Sequence, residues 1–238
     1  MTLHLSYFVP PQVHEVAREN GFLDGIDVVE TRTTGSEAQF AGLRDGSLDL
    51  VVTAIDNLFE WVPRGADVKL VGQVEATTPL SIYAQPSIES LESADSLVFG
   101  VDAFSNGFAL IARTLLAEAS TDVTYVEVGG VRERFDALIG GSIDATLLGP
   151  PFTDMAASQG KRELVKLTDV MPDYPGQGLI ARSEVIDHPE FHQYMKALGR
   201  AGLLEVNRAG LSRLELIREG LNLTPENFSL ANVTVVIS

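Results

Sequence analysis

Short apolar runs alternate along the chain with apolar residues at helical spacing. LHLSYF at 3–8 reads as a strand, Val13, Val16 and Ala17 follow at helical spacing, and IDVVET at 26–31 is rich in β-branched residues. A turn with glycine, TTGS, leads to a helix carrying Phe40 and Leu43, and LDLVVTA at 48–54 is a third strand. The same order then returns. SLVFGV at 96–101, a helical spacing of Phe108, Ile111, Ala112 and Leu115, DVTYVEV at 122–128, the turn VGGV, a helix with Phe135 and Leu138, and IDATLLG at 143–149 repeat it. Each half is β-α-β-α-β, and parallel strands joined by right-handed crossovers carry helices on both faces of a sheet. The pattern predicts an α/β protein of two Rossmann-like lobes.

The halves share a phrase as well as a plan. FAGLRDGSLDLVVTA at 40–54 and FDALIGGSIDATLLG at 135–149 match at a constant interval of 95 residues, and sliding by 95 lays residues 3–57 on 98–152 without a gap. Gly46 and Gly141 fall just past a helix, where a left-handed C-cap suits glycine, and Asp49 and Asp144 mark the start of the third strand. The phrase is architecture.

Two further strand segments flank the second copy, LSIYAQ before it and QGLIAR after it, and amphipathic helices follow from about 189 to 220. A chain that leaves one lobe, builds another and returns makes a two-stranded hinge. The expected lobes are residues 1–83 plus 178–238, and an inserted 84–177.

This layout, the helix-G-S-[LI]-D-strand phrase in each lobe, RGADVKLVGQ after the third strand and GPPF after its counterpart resemble type II periplasmic-binding-protein-like proteins. The nearest group looks like the nitrate/sulfonate/taurine and thiamin-precursor substrate-binding proteins of ABC transporters. The resemblance implies a hinged pair of lobes closing on a small ligand in a cleft, and an ABC permease as partner.

Ligands of open parallel sheets bind outside the C-terminal ends of the strands, where helix N-termini point. The candidate ligand-binding residues follow: Tyr7 and Phe8 after strand one, Gly35 and Ser36 after strand two, Thr53, Asp56 and Asn57 at strand three. In the second copy they are Phe104, Ser105 and Asn106, then Gly129 and Gly130, then Pro150, with Tyr174 in the loop DVMPDYPGQ. The serine, aspartate and asparagine positions are also what helix N-caps favour, and the aromatics could equally serve a core. Asp56 carries most information on ligand choice, because a carboxylate facing a cleft disfavours an anion. It points to a neutral or basic small organic molecule.

Composition narrows the classes. The 238 residues carry a formal charge of −16, which argues against nucleic acid or an anionic membrane as partner, and the absence of cysteine removes disulfides, thiolate metal sites and a cysteine nucleophile. No apolar run spans a bilayer and no leader opens the sequence, so the expectation is a cytoplasmic protein or an exported one whose leader has been removed. No cofactor or metal is expected: His188 and His192 are four apart but lack a carboxylate arrangement of known type. No G-x-S-x-G, P-loop or G-x-G-x-x-G motif occurs. Three readings stand: a solute-binding protein, a cytoplasmic enzyme on the same scaffold using Asp56, His14 and Tyr7 for acid-base chemistry, and the effector domain of a regulator, which would need a DNA-binding module. The cysteine-rich segment of the thiamin-pathway pyrimidine synthases is absent.

Overall fold

The computed structural model describes residues 1–204 apart from 78, 105, 106, 120, 121 and 173. The chain divides into two units, Met1–Ala76 with the chain from Pro175 onward, and Thr77–Tyr174. The expected helices beyond 204 lie outside the described residues.

Unit 1 begins β1 (Leu3–Tyr7), α1 (Gln12–Glu19), β2 (Val28–Arg32), α2 (Ser36–Asp45), β3 (Leu50–Ala54), α3 (Asn57–Trp61) and β4 (Val68–Gln73). Unit 2 holds β5 (Ser81–Ala84), β6 (Ser96–Val101), α4 (Gly107–Glu118), β7 (Asp122–Glu127), α5 (Val131–Gly140), β8 (Ala145–Leu148), α6 (Phe152–Ser158), β9 (Arg162–Lys166) and α7 (Leu167–Val170). The chain then returns to unit 1 with β10 (Gln177–Arg182) and α8 (Pro189–Arg200). Helices α2 and α5 begin and end 95 residues apart, and α1, α3, α4 and α6 start in the same step.

The sheets run β2-β1-β3-β10-β4 and β7-β6-β8-β5-β9. In each, the first three strands are parallel and the fourth is antiparallel to its neighbours. Strand β3, LVVTA, is buried at every position, as a central strand covered on both faces must be. Strand β5 pairs with β8 and β9, so it is a member of the second sheet. The division therefore falls at Ala76, earlier than the 83 expected from sequence, because strand pairing rather than strand order decides membership.

The gapless slide is corrected at one place. His4 N–H donates to Asp49 Oδ2 at 2.9 Å and Val98 N–H to Asp144 Oδ2 at 2.8 Å, and Thr33 and Val128 bond the carbonyls of Tyr7 and Val101. Strand β6 thus matches β1 at an interval of 94, with the extra residue in the turn before α4. The repeated aspartate pins the first strand to the start of the third, and Gly46 and Gly141 cap α2 and α5 at φ of 82° and 76°.

The core of unit 1 packs Leu3, Leu5, Val52 and Leu179 of the sheet against Ala17 of α1 and Phe191, Tyr194 and Leu198 of α8. Helix α8 puts Phe191, Tyr194, Met195 and Leu198 on one buried stripe, the spacing of an amphipathic helix.

Candidate functional site

In unit 1, β1, β2 and β3 end on one edge of the sheet. Antiparallel β10 starts on that edge and β4 ends there, since Gln177 faces Ala54 and Gly178 faces Gln73. The turns at Phe8, Thr33–Ser36, Ile55–Asn57 and Gln73–Glu75 therefore share it. The second turn is set by Thr33, whose hydroxyl donates to the Gly35 carbonyl at 2.8 Å, which leaves Gly35 extended ahead of α2 and Ser36 buried as its first residue. In the third turn Asn57 Nδ2 donates to the Thr53 hydroxyl at 2.7 Å, tying α3 back to β3. Asp56 sits before α3, 1% exposed, and makes no side-chain cap bond to that helix.

Sequence reasoning missed Glu75. Its carboxylate accepts from the backbone N–H and the side-chain amide of Gln177, both at 3.3 Å, and burial raises its pKa, the Gln177 bonds drawing it back. Gln73 Nε2 donates to the Glu75 carbonyl at 2.6 Å and orders the same turn. The polar run QVEATT after β4 was the available signal, but only the antiparallel β10 beside β4 brings it to this edge.

Tyr7 is drawn into the core of unit 1. Its ring belongs to the unit 1 core and its hydroxyl donates to Glu30 Oε2 at 2.7 Å. Phe8, half-buried, stays in the turn.

In unit 2, Phe104 is 51% exposed, with its N–H donating to Glu127 Oε1 at 3.1 Å. Ser105 and Asn106 lie outside the described residues. Gly129 takes a φ of 111°, which favours glycine, and its carbonyl accepts from buried Arg134 at 2.9 Å; Gly130 precedes α5. Pro150 is exposed and forms a cis bond to Pro151. Tyr174 is buried, 2% exposed, in the last turn of unit 2.

The acid-base trio does not assemble. His14 is buried, with Nε2 3.3 Å from Glu30 Oε1 and Nδ1 2.9 Å from the Tyr194 hydroxyl, so both His14 and Tyr7 converge on Glu30 rather than on Asp56. Burial pushes the Tyr194 hydroxyl far up, so it keeps its proton beside Nδ1 of His14. Among the described residues no group of three or more His, Asp or Glu could hold a metal, and no helix is long and apolar enough to cross a membrane.

The NMT1/THI5-like family model matches residues 15–203, and the chain belongs to that family. No curated protein matches it. Among solved structures it is similar to the ligand-binding component of an ABC-type import system from Staphylococcus aureus with zinc bound, at 15% identity and a TM-score of 0.81 over 98% of this chain and 96% of that one. It is also similar to the periplasmic aliphatic sulphonate binding protein SsuA from Escherichia coli, at 15% identity and a TM-score of 0.71 over 100% and 94%. A third is PhnD1 from Prochlorococcus marinus in complex with methylphosphonate, at 13% identity and a TM-score of 0.69 over 93% and 98%. The fold is that of the periplasmic binding proteins.

Proposed function

We propose that this NMT1/THI5-like protein is a solute-binding protein serving ABC-type uptake with a permease as partner, and that its solute is a neutral or cationic small organic molecule. Family and fold support the first part. The second part rests on one observation, a pair of carboxyl side chains on the loop edge of unit 1. Asp56 stands at the start of α3 and Glu75 at the end of β4, with the amides of Asn57 and Gln177 beside them. Carboxylates at a binding edge repel anions and accept from amines, amidines and hydroxyls, whereas the sulphonate and methylphosphonate named for two similar structures are anions.

Titration calorimetry with an aminopyrimidine, an aliphatic amine and an aliphatic sulfonate tests this. Asparagine has nearly the size and shape of aspartate and no cap bond to α3 is lost, so Asp56→Asn leaves the melting temperature of the empty protein nearly in place. It weakens the aminopyrimidine or amine by about 1.5–3 kcal/mol, the worth of a charge-assisted hydrogen bond. Tight sulfonate binding that Asp56→Asn does not change overturns the assignment.

A further inference from the structure

Apply the repeat to the buried cluster around His14. With β6 one residue out of step, Tyr7, His14, Arg18 and Glu30 of unit 1 correspond to Val101, Ala109, Arg113 and Tyr125 of unit 2. In unit 1 the corner between the first helix and the edge strand is full. The His14 imidazole and the Tyr194 ring, 5.8 Å apart between centroids, occupy it, and Tyr7 and Arg18 close on Glu30. In unit 2 the four counterparts, together with Phe104, line a cavity of about 310 Å³.

Two differences empty that corner. Alanine replaces the imidazole at 109, and the described part of unit 2 has no helix in the place of α8 to send in a tyrosine. A third difference changes its charge. Arg18 pairs with Glu15 and Glu30, but the residues at those positions in unit 2 are Leu110 and Tyr125. No carboxylate among the described residues pairs with Arg113, and Glu127, the nearest acid along β7, accepts from the Phe104 N–H. Burial pushes the Tyr125 hydroxyl up and the Arg113 charge draws it down, so the two groups feel each other and the hydroxyl keeps its proton.

We propose that this cavity is a second binding site, distinct from the loop edge of unit 1, that takes a small carboxylate with an apolar body. The body lies against Val101, Ala109 and the Phe104 ring, and the carboxylate pairs with the Arg113 guanidinium, with the Tyr125 hydroxyl available as a second donor. The volume stands at the small end of ligand pockets, about 300–1,000 Å³, and suits a molecule the size of phenylacetate. A cation beside an apolar cavity selects by charge, which an apolar cavity alone cannot do.

The experiment uses the whole chain, phenylacetate as probe and benzylamine as its charge-reversed control, read by amide shifts in two-dimensional NMR. Phenylacetate is expected to shift the amides of Val101, Ala109, Arg113 and Tyr125, and benzylamine to leave them in place. Arg113→Gln weakens phenylacetate about tenfold without lowering the melting temperature, because no carboxylate among the described residues pairs with Arg113. Ala109→Phe refills the corner and abolishes the shifts. Benzylamine acting as well as phenylacetate, phenylacetate shifting only residues outside unit 2, or undiminished binding by Arg113→Gln would each overturn the site. The control and Arg113→Gln decide the matter even where Ala109→Phe fails to fold.

Discussion

The corner between α1 and β2 in unit 1 and the corner between α4 and β7 in unit 2 share a backbone plan and differ in chemistry. The first is a closed polar network, Tyr7 to Glu30 to His14 to Tyr194, in which each buried group has a partner. The second is apolar and hollow, with one arginine. A buried polar network is favourable only when every member is satisfied, and a half-satisfied one is worse than an apolar core. Tyr194 comes from α8, 180 residues after His14, and α8 belongs to unit 1 alone. The network therefore goes with α8: a histidine at position 109 would meet neither a tyrosine from such a helix nor a carboxylate at 125. What the repeat conserves is backbone punctuation, and what it leaves free is the filling.

The largest expected effect comes from making unit 1 resemble unit 2. His14→Ala removes the partner of Tyr194 and one partner of Glu30, and opens a void in the packed corner. A buried unsatisfied hydroxyl together with a cavity costs roughly 2–4 kcal/mol. The single tryptophan, Trp61, is buried in unit 1, so its fluorescence during urea unfolding follows this unit. A loss under about 1 kcal/mol would show that the network merely fills space, since removal of one hydrogen-bond partner from a buried pair costs at least that.

Most of the backbone plan was legible in the sequence, because glycine C-caps, strand-starting aspartates and apolar periods are local signals. The roles of Asp49 and Asp144 were legible only as position: that each carboxylate holds a strand N–H at 2.9 and 2.8 Å depends on a neighbour far along the chain. The one-residue step between β1 and β6 was hidden because the shared phrase lies further on and matches at 95 regardless. The Tyr7 hydroxyl bond is not legible locally, since a strand's last residue can face either the turn or the core and its partner Glu30 lies across the strand pair. Glu75 escaped because its place depends on an antiparallel strand arriving after a whole second unit.

Acid sharpens the comparison with a smaller effect. Burial raises the Glu30 pKa, but the Tyr7 hydroxyl, His14 and Arg18 outweigh it and hold the carboxyl below its ordinary 4.5. A carboxyl depressed in the folded state adds stability that is present above its unfolded value and lost as pH falls through the folded one. Unit 2 has Tyr125 in that position and no such acid loss from this corner. Glu30→Gln should therefore lower Trp61-reported stability at neutral pH and narrow its gap to wild type below about pH 4.5. A gap that stays constant through the acid range would mean that Glu30 does not carry the charge of the network. At the alkaline end the sign reverses: burial first, then the Glu30 bond, raises the Tyr7 pKa to about 12, so its contribution persists below 10 and fades as pH rises through 12.

The smallest effect separates the two copies of the opening phrase. Gly46 and Gly141 adopt the same left-handed cap, so replacing either by alanine carries the same intrinsic cost, about 1–2 kcal/mol, partly offset by a stiffer unfolded chain. Their surroundings differ. A methyl on Gly141 would meet nothing within 4 Å, whereas one on Gly46 would lie 2.6 Å from Nη1 of Arg182. That guanidinium pairs with Asp49 at 3.6 Å and with Glu184, and Asp49 is the carboxylate that holds β1. Gly141→Ala should thus cost about 1 kcal/mol, the conformational term alone. Gly46→Ala should cost more, because Arg182 must move away from Asp49 to make room. Unfolding curves of the two variants, each against wild type, measure the difference; equal losses would mean that Arg182 yields freely and that its pairing with Asp49 adds nothing to unit 1.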